Sequence, residues 1–234
     1  MQKLLTLATD AYRKYKFGPP PNLEGDRDIE FAFVAANIPK GGKVLDFGSG
    51  NTPLSLVALL GGAEVTAIDL LPNRYKFASK IKFIQGDILK TNLKKNYFDT
   101  IINCSSIEHV GLAGRYGVRK NLMEGDIKAM KILWELLKEN GIMLMTIPVG
   151  KNKVFEFRHR VYGVHRLPKI LSQFKIIKQE FWTKDNNNKW FITSRTKALS
   201  FAPKENFYNL GCFVLRKPTQ KMRRVSHRVV RFSR

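Results

Sequence analysis

Cysteine is scarce: Cys104 and Cys212 are the only two in 234 residues, and both fall in apolar, strand-like segments. This excludes a disulfide framework of the kind that braces small secreted domains, and it leaves no paired cysteine motif for zinc. Long apolar runs are missing as well. No stretch approaches the roughly 20 apolar residues that cross a bilayer, and the apolar run within Met1 to Asp10 is too short for a secretory signal. A cytoplasmic protein is the expectation. Acidic residues run out along the chain: residues 1–150 carry 20 Lys and Arg against 15 Asp and Glu, whereas residues 151–234 carry 21 against 4. The later part therefore holds +17 of the formal net charge of +22. Basic segments of this density attract polyanions through counterion release and long-range steering, so RNA and an anionic membrane surface are the macromolecular partners to consider.

What is present is ordinary for a folded α/β domain. The hydrophobic share of 44% and charged share of 26% argue against disorder, and the length suits one domain with appendages. Residues 1–26 read as a basic, helical extension ending in a hinge at Gly18-Pro19-Pro20-Pro21, where consecutive prolines remove donors and fix torsions. Residues 27–215 read as the domain. Phe31, Val34, Ala35 and Ile38 recur at helical spacing, and from residue 43 short apolar runs alternate with helical stretches. The expected strands are 43–47, 64–69, 81–85, 100–104, 142–147, 174–181 and 207–215. That predicts a Rossmann-like, seven-stranded, mostly parallel sheet with helices on both faces and an antiparallel edge strand. Between the fourth and fifth strands, Asp126 is placed to cap a helix with a stripe of Ala129, Met130, Leu133, Trp134 and Leu137, ended by Asn140-Gly141. The tail 216–234 holds eight Lys and Arg and no acid, and Met222, Val225, Val229 and Phe232 could share one face of a basic amphipathic helix.

The most informative segment runs Val44-Leu45-Asp46-Phe47-Gly48-Ser49-Gly50-Asn51-Thr52-Pro53, an apolar strand entering a Gly-x-Gly turn and then a helix that Thr52 and Pro53 would open. Glycine tolerates the positive torsion of such a turn and lets a ligand approach the backbone. A dinucleotide fingerprint would place a third glycine where Pro53 stands. Asp46 argues further against a pyrophosphate, because an acid suits a cationic amino group better than two phosphates. Asp69, 19 residues beyond Gly50, ends the second strand, where a carboxylate can accept hydrogen bonds from two ribose hydroxyls. Gln85-Gly86-Asp87 places a third acid after the third strand.

Three acids and two glycines in this order resemble the class I S-adenosylmethionine-dependent methyltransferases, of the type 11-like kind, over residues 27–180. The resemblance implies a Rossmann-like fold with S-adenosyl-L-methionine as cofactor. It further implies that Asp46, Gly48 and Gly50 cradle the methionine part, Asp69 the ribose and Asp87 the adenine amino group, with Ser105 facing the cofactor from the end of the fourth strand.

The acceptor side begins at Asn103-Cys104-Ser105-Ser106-Ile107-Glu108-His109-Val110 and continues through Gly111-Leu112-Ala113-Gly114-Arg115-Tyr116-Gly117. Together with His159-Arg160-Val161-Tyr162-Gly163, these segments resemble a methyltransferase subgroup associated with surface-sugar biosynthesis. Glu108, His109 and His159 are the candidate catalytic residues, able to align a nucleophile or take up its proton. Glu108 and His109 alone make an incomplete ligand set, so no metal is expected. Residues 155–162 mix aromatics with cations, which suits a sugar face, a phosphate or a stacked base; as a lid helix, the segment would leave Arg158, Arg160 and Arg166 at the surface. The expected function is methyl transfer to a hydroxyl or amine of a small-molecule or glycan-linked acceptor, with the basic tail holding the protein at an anionic surface. The alternatives are an RNA methyltransferase and a non-catalytic Rossmann-like adaptor.

Overall fold

The apolar runs between residues 43 and 216 assemble into one eight-stranded sheet. The structure, a computed structural model, describes residues 2–17, 20–50, 52–72, 79–114 and 116–219. The expected tail helix with Met222, Val225, Val229 and Phe232 lies outside these residues, as do Gly18 and Pro19 of the expected hinge. The chain runs α1 (Gln2–Phe17), α2 (Asp26–Asn37), β1 (Lys43–Phe47), α3 (Leu54–Leu60), β2 (Glu64–Asp69) and β3 (Lys82–Gln85). It continues with β4 (Phe98–Cys104), α4 (Gly125–Leu136), β5 (Leu137–Val149), β6 (Lys153–Phe155), β7 (His159–Val161) and α5 (Leu167–Leu171). The last elements are β8 (Lys175–Lys184), β9 (Trp190–Thr193), α6 (Arg195–Ser200) and β10 (Asn209–Arg216).

The sheet order is β3-β2-β1-β4-β5-β10-β8-β9. Strands β1 to β5 pair in parallel, and β10 lies antiparallel between β5 and β8. Two expectations are corrected here. The eighth strand is β9, a four-residue segment that pairs antiparallel with β8 and is followed by α6, in a stretch that reads as a polar connection. The antiparallel edge expected from the last two strands is present, since β10 pairs with β8, but β9 closes it and leaves β10 interior, with seven of its eight residues buried.

Side chains along each central strand alternate between two cores. Val44, Val65, Ile102, Leu144 and Val214 face Phe33 and Val34 of α2 and Leu54 and Ala58 of α3. Leu45, Ile101, Met143, Met145 and Phe213 face Ala129, Met130 and Leu133 of α4 and Ile170 of α5. Strand order reverses between β1 and β4, which opens a crevice above the carboxyl ends of the strands. Among the described residues no helix is long and apolar enough to cross a membrane.

Two helix starts differ from expectation. Thr52 makes no cap; α3 begins at Leu54 behind Pro53. Asp126 lies inside the first turn of α4 and is fully buried, with Glu124 at the cap position. Its carboxylate is used across the fold instead: Tyr162 Oη donates to Oδ2 at 3.1 Å, and Arg166 donates through Nε at 2.8 Å and Nη2 at 2.5 Å. Arg160 Nε lies 3.8 Å from the same carboxylate, and neither side chain has any exposure. Residues 153–161 form the β6-β7 hairpin rather than a lid helix. Of the three arginines expected at the surface, Arg158 pairs with Glu205 at 2.8 Å, while Arg160 is interior and Arg166 is mostly covered.

Arg160 holds a loop. Its two terminal nitrogens donate to the carbonyls of Glu108 and Val110 at one end of residues 108–123, and to those of Leu122 and Met123 at the other. A buried guanidinium is tolerated only with a countercharge and near-complete hydrogen bonding, and Asp126 supplies that charge. Replacing Asp126 by Ala leaves Arg160 interior and unpaired. The expected loss is about 3–5 kcal/mol of folding stability, read as a lower midpoint in urea denaturation.

Candidate functional site

The crevice is a cavity of about 1160 Å³ whose walls come from the ends of β1, β2 and β4, from α2, and from the loop that Arg160 clamps. At one end lie Gly48, Gly50, Asp69 and Asp87. Gly48 has φ 67° and packs so closely on Ser106 that an added Cβ would overlap the serine hydroxyl. Gly50 has φ 45°, and its N–H donates to Asp69 Oδ2 at 2.8 Å, while Leu71 N–H donates to Oδ1 at 2.8 Å. Both carboxylate oxygens are thus fixed by backbone, and each keeps a second acceptor position turned to the cavity. Asp87 Oδ1 accepts from Leu89 N–H at 2.9 Å and caps a 3₁₀ turn at 88–90.

Asp46 stands behind the glycine loop rather than on the cavity wall. It is 2% exposed, and Ser55 Oγ donates to its Oδ2 at 2.6 Å. Burial pushes its carboxyl up to about 6. Any influence on a bound molecule passes through the loop as charge rather than through direct contact.

The other end of the cavity lies at the end of β4. Ser105, with φ 45°, lines the wall, but its hydroxyl donates to Glu30, a residue of α2 that motif reading did not single out. Glu30 has no exposure; Thr146 Oγ1 donates to its Oε1 at 3.0 Å, and Arg27 Nη1 donates to Oε2 at 2.7 Å. The signal was readable: Glu30 sits three and four residues before Phe33 and Val34, so it shares the buried face of the helix, and an acid on such a face is unusual. Arg27 and Phe31 bring α2 to the cavity wall, and Ser106 joins them from the β4 end.

The three candidate catalytic residues form a row that leads away from the cavity. His109 is on the wall. Its Nδ1 lies 2.6 Å from the Arg158 carbonyl oxygen, which can only accept, so the proton belongs on Nδ1. Its Nε2 is 3.7 Å from Glu108 Oε1. Glu108 is 2% exposed, and burial, with Glu30 as a neighbouring acid, pushes its carboxyl up to about 8. His159 is 6% exposed and off the wall, its ring among Phe155, Tyr208 and His109 at centroid distances of 5.2, 5.0 and 6.3 Å. It touches the cavity only through His109. Among the described residues, no group of three His, Cys, Asp or Glu side chains is arranged to hold a metal ion.

Comparison with known proteins places this geometry in a family. A family profile described as "Caenorhabditis protein of unknown function, DUF268" matches residues 51–217. The chain belongs to the DUF268 family. A curated relative, "Putative methyltransferase YqeM" of Bacillus subtilis, is 27% identical over 122 residues. That match takes in 49% of this chain and 46% of the relative, so the chain spans under half the length of the protein it resembles. Among solved structures, the 1,6-didemethyltoxoflavin-N1-methyltransferase of Burkholderia thailandensis, bound to 1,6-didemethyltoxoflavin and S-adenosylhomocysteine, superposes with a TM-score of 0.57 at 16% identity. The alignment covers 93% of this chain and 90% of that one. The N-methyltransferase NodS of Bradyrhizobium japonicum WM9, in complex with S-adenosylhomocysteine, gives 0.55 at 14% identity over 90% and 93% of the two chains. The [4+2]-cyclase SpnF gives 0.56 at 18% identity over 81% of each. The fold of this DUF268 chain is therefore the Rossmann-like fold of the class I methyltransferases, a scaffold that also carries a cyclase.

The buried acid gives a testable sign. Glu108 keeps its proton in the folded state up to about pH 8, whereas the unfolded chain releases it near the ordinary glutamate value of 4.5. Between those values the folded state binds more protons, so stability falls as pH rises and the fall levels off above about 8. Glu108→Gln removes this titration. Thermal melting across pH 5 to 8.5 is expected to show the variant gaining on the wild type as pH increases; parallel curves would place the titration elsewhere.

Proposed function

We propose that this chain is an S-adenosylmethionine-dependent methyltransferase acting on a hydroxyl or amine of a small-molecule or glycan-linked acceptor. The observation that carries the reading is Asp69: a carboxylate at the end of β2, locked by two backbone amides beside a glycine loop and facing a large cavity. The fit to the cofactor is supported by that loop, where a side chain at position 48 has no room and a ligand can lie against bare backbone. Asp69 would accept the ribose hydroxyls, Asp87 would lie at the adenine end, and Gly48 and Gly50 would bracket the methionine part. When bound, the cofactor supplies an electrophilic methyl group on a sulfonium.

The remaining work belongs to the chain. The loop held by Arg160 and the wall from α2 limit water and fix the approach direction of the acceptor. His109, with its Nδ1 proton held by the Arg158 carbonyl and its Nε2 turned toward Glu108, would position the acceptor as a fixed ring of the wall, and the proton released by the acceptor would leave to solvent. Glu108 and His159 orient and polarise that ring from behind. The basic charge of residues 151–234 would keep the enzyme near an anionic surface.

Calorimetric titration with S-adenosylhomocysteine tests the cofactor reading. Saturable one-site binding is expected, and Asp69→Ala should weaken it by about tenfold to a hundredfold, the worth of hydrogen bonds to a charged group. A folded protein that binds neither S-adenosylhomocysteine nor S-adenosylmethionine would overturn the enzyme reading in favour of a binding module.

A further inference from the structure

The two ends of the cavity differ in charge. The carboxyl ends of β2 and β3 contribute Asp69 and Asp87 to one end, where Lys90 from the turn that Asp87 caps is the cation beside them. The wall made by α2 and the loop after β4 contributes Arg27, Arg119 and Lys120, and among the described residues no Asp or Glu lines that part. The two nearby acids, Glu30 and Glu108, sit behind the wall at 0% and 2% exposure.

Arg27 is built in rather than draped on the surface. Its Nη1 is tied to Glu30, and Glu30 is in turn fixed by Ser105 and Thr146, so the guanidinium is held from behind by a carboxylate that cannot swing. The Arg27 side chain remains half exposed toward the cavity. Only one of its five N–H groups is used in a described side-chain hydrogen bond, and the planar fork suits a carboxylate or phosphate. Arg119 and Lys120 are exposed and form no ion pair with any described residue.

Resting on the methyltransferase reading, a second charge argument applies. S-adenosylmethionine brings a sulfonium and an ammonium against one carboxylate, so the loaded cavity gains a net positive charge. A neutral or cationic acceptor gains nothing from that field, whereas an anionic one is drawn in and oriented. We infer that the acceptor carries an anionic group, a phosphate or a carboxylate, that docks on Arg27 with Arg119 and Lys120 at the rim. The anion sets the register of the acceptor, and the nucleophile on the same molecule then faces His109 and the methyl group.

The test titrates the full chain, first saturated with S-adenosylhomocysteine, with inorganic phosphate and in parallel with acetate at constant ionic strength. One saturable site for either anion is expected. Arg27→Gln should weaken it by at least tenfold. Because that variant disturbs a buried partner, the exposed double variant Arg119→Ala/Lys120→Ala is run beside it and should also lose several-fold. A charge-matched control, Lys189→Ala/Lys197→Ala, removes two exposed cations from elsewhere and should bind as the wild type does. Equal binding by wild type and the Arg119/Lys120 variant, or an equal loss in the control, would overturn the proposal and leave diffuse attraction to a basic protein. Failure to bind S-adenosylhomocysteine would instead count against the methyltransferase reading. The phosphate and acetate titrations of the free protein and the same variants would still decide whether the anion site exists.

Discussion

Arg160 lies in the interior with no exposed surface, and the site depends on how its charge is met. A guanidinium out of water costs several kcal/mol unless its donors and charge are matched. Here the charge is met by Asp126, 3.8 Å from Nε, and the two terminal nitrogens by four backbone carbonyls from the two ends of one loop. The arrangement joins the hairpin strand β7 to the loop after β4 and the start of α4, which lie more than 30 residues before it in the chain. Tyr162 and Arg166 add their own bonds to the same carboxylate, so the anion at the centre is shared rather than exposed to competition from water. The loop then has few alternative positions, and its inner residues can serve as a cavity wall.

A second consequence concerns charge placement around the cavity. At the end formed by β2 and β3 the acids face the cavity, and their oxygens are held still by backbone amides. At the end formed by α2 and the loop after β4, Glu30 and Glu108 are withdrawn behind the wall near Ser105, where burial raises both carboxyls. Cations and an imidazole remain at that surface. One cavity thus presents hydrogen-bond acceptors at one end and exposed cations beside an imidazole at the other. The separation follows from sheet order: β1, β2 and β3 lie on one side of the switch point, β4 and β5 on the other.

Part of this was legible in the sequence because it is local. The glycine turn, Asp69 and Asp87 each depend on a few consecutive residues at the end of a strand, where an apolar run, a turn-forming glycine and an adjacent backbone amide already define the geometry. The short apolar runs at 43–47 and 142–147, which put apolar side chains on both faces, made the two-faced sheet readable in the same way. The short strand β9 was not readable, because four apolar or β-branched residues inside a polar stretch do not form a pattern until β8 lies beside them.

The sequence by itself determined the fold class, the strands that carry the glycine loop and the identity of the acids above it. These rest on periodicity and turn chemistry, which act within a few residues. Only the tertiary structure decided that Asp126 neutralises an interior arginine instead of capping a helix. The same is true of Glu30, whose partners Ser105 and Thr146 lie 75 and 116 residues away, and of His159, which stands behind His109 rather than at the cavity. A charged side chain gives no local sign of its partner. Its role is fixed by which distant groups share its low-dielectric surroundings once the chain has closed around it.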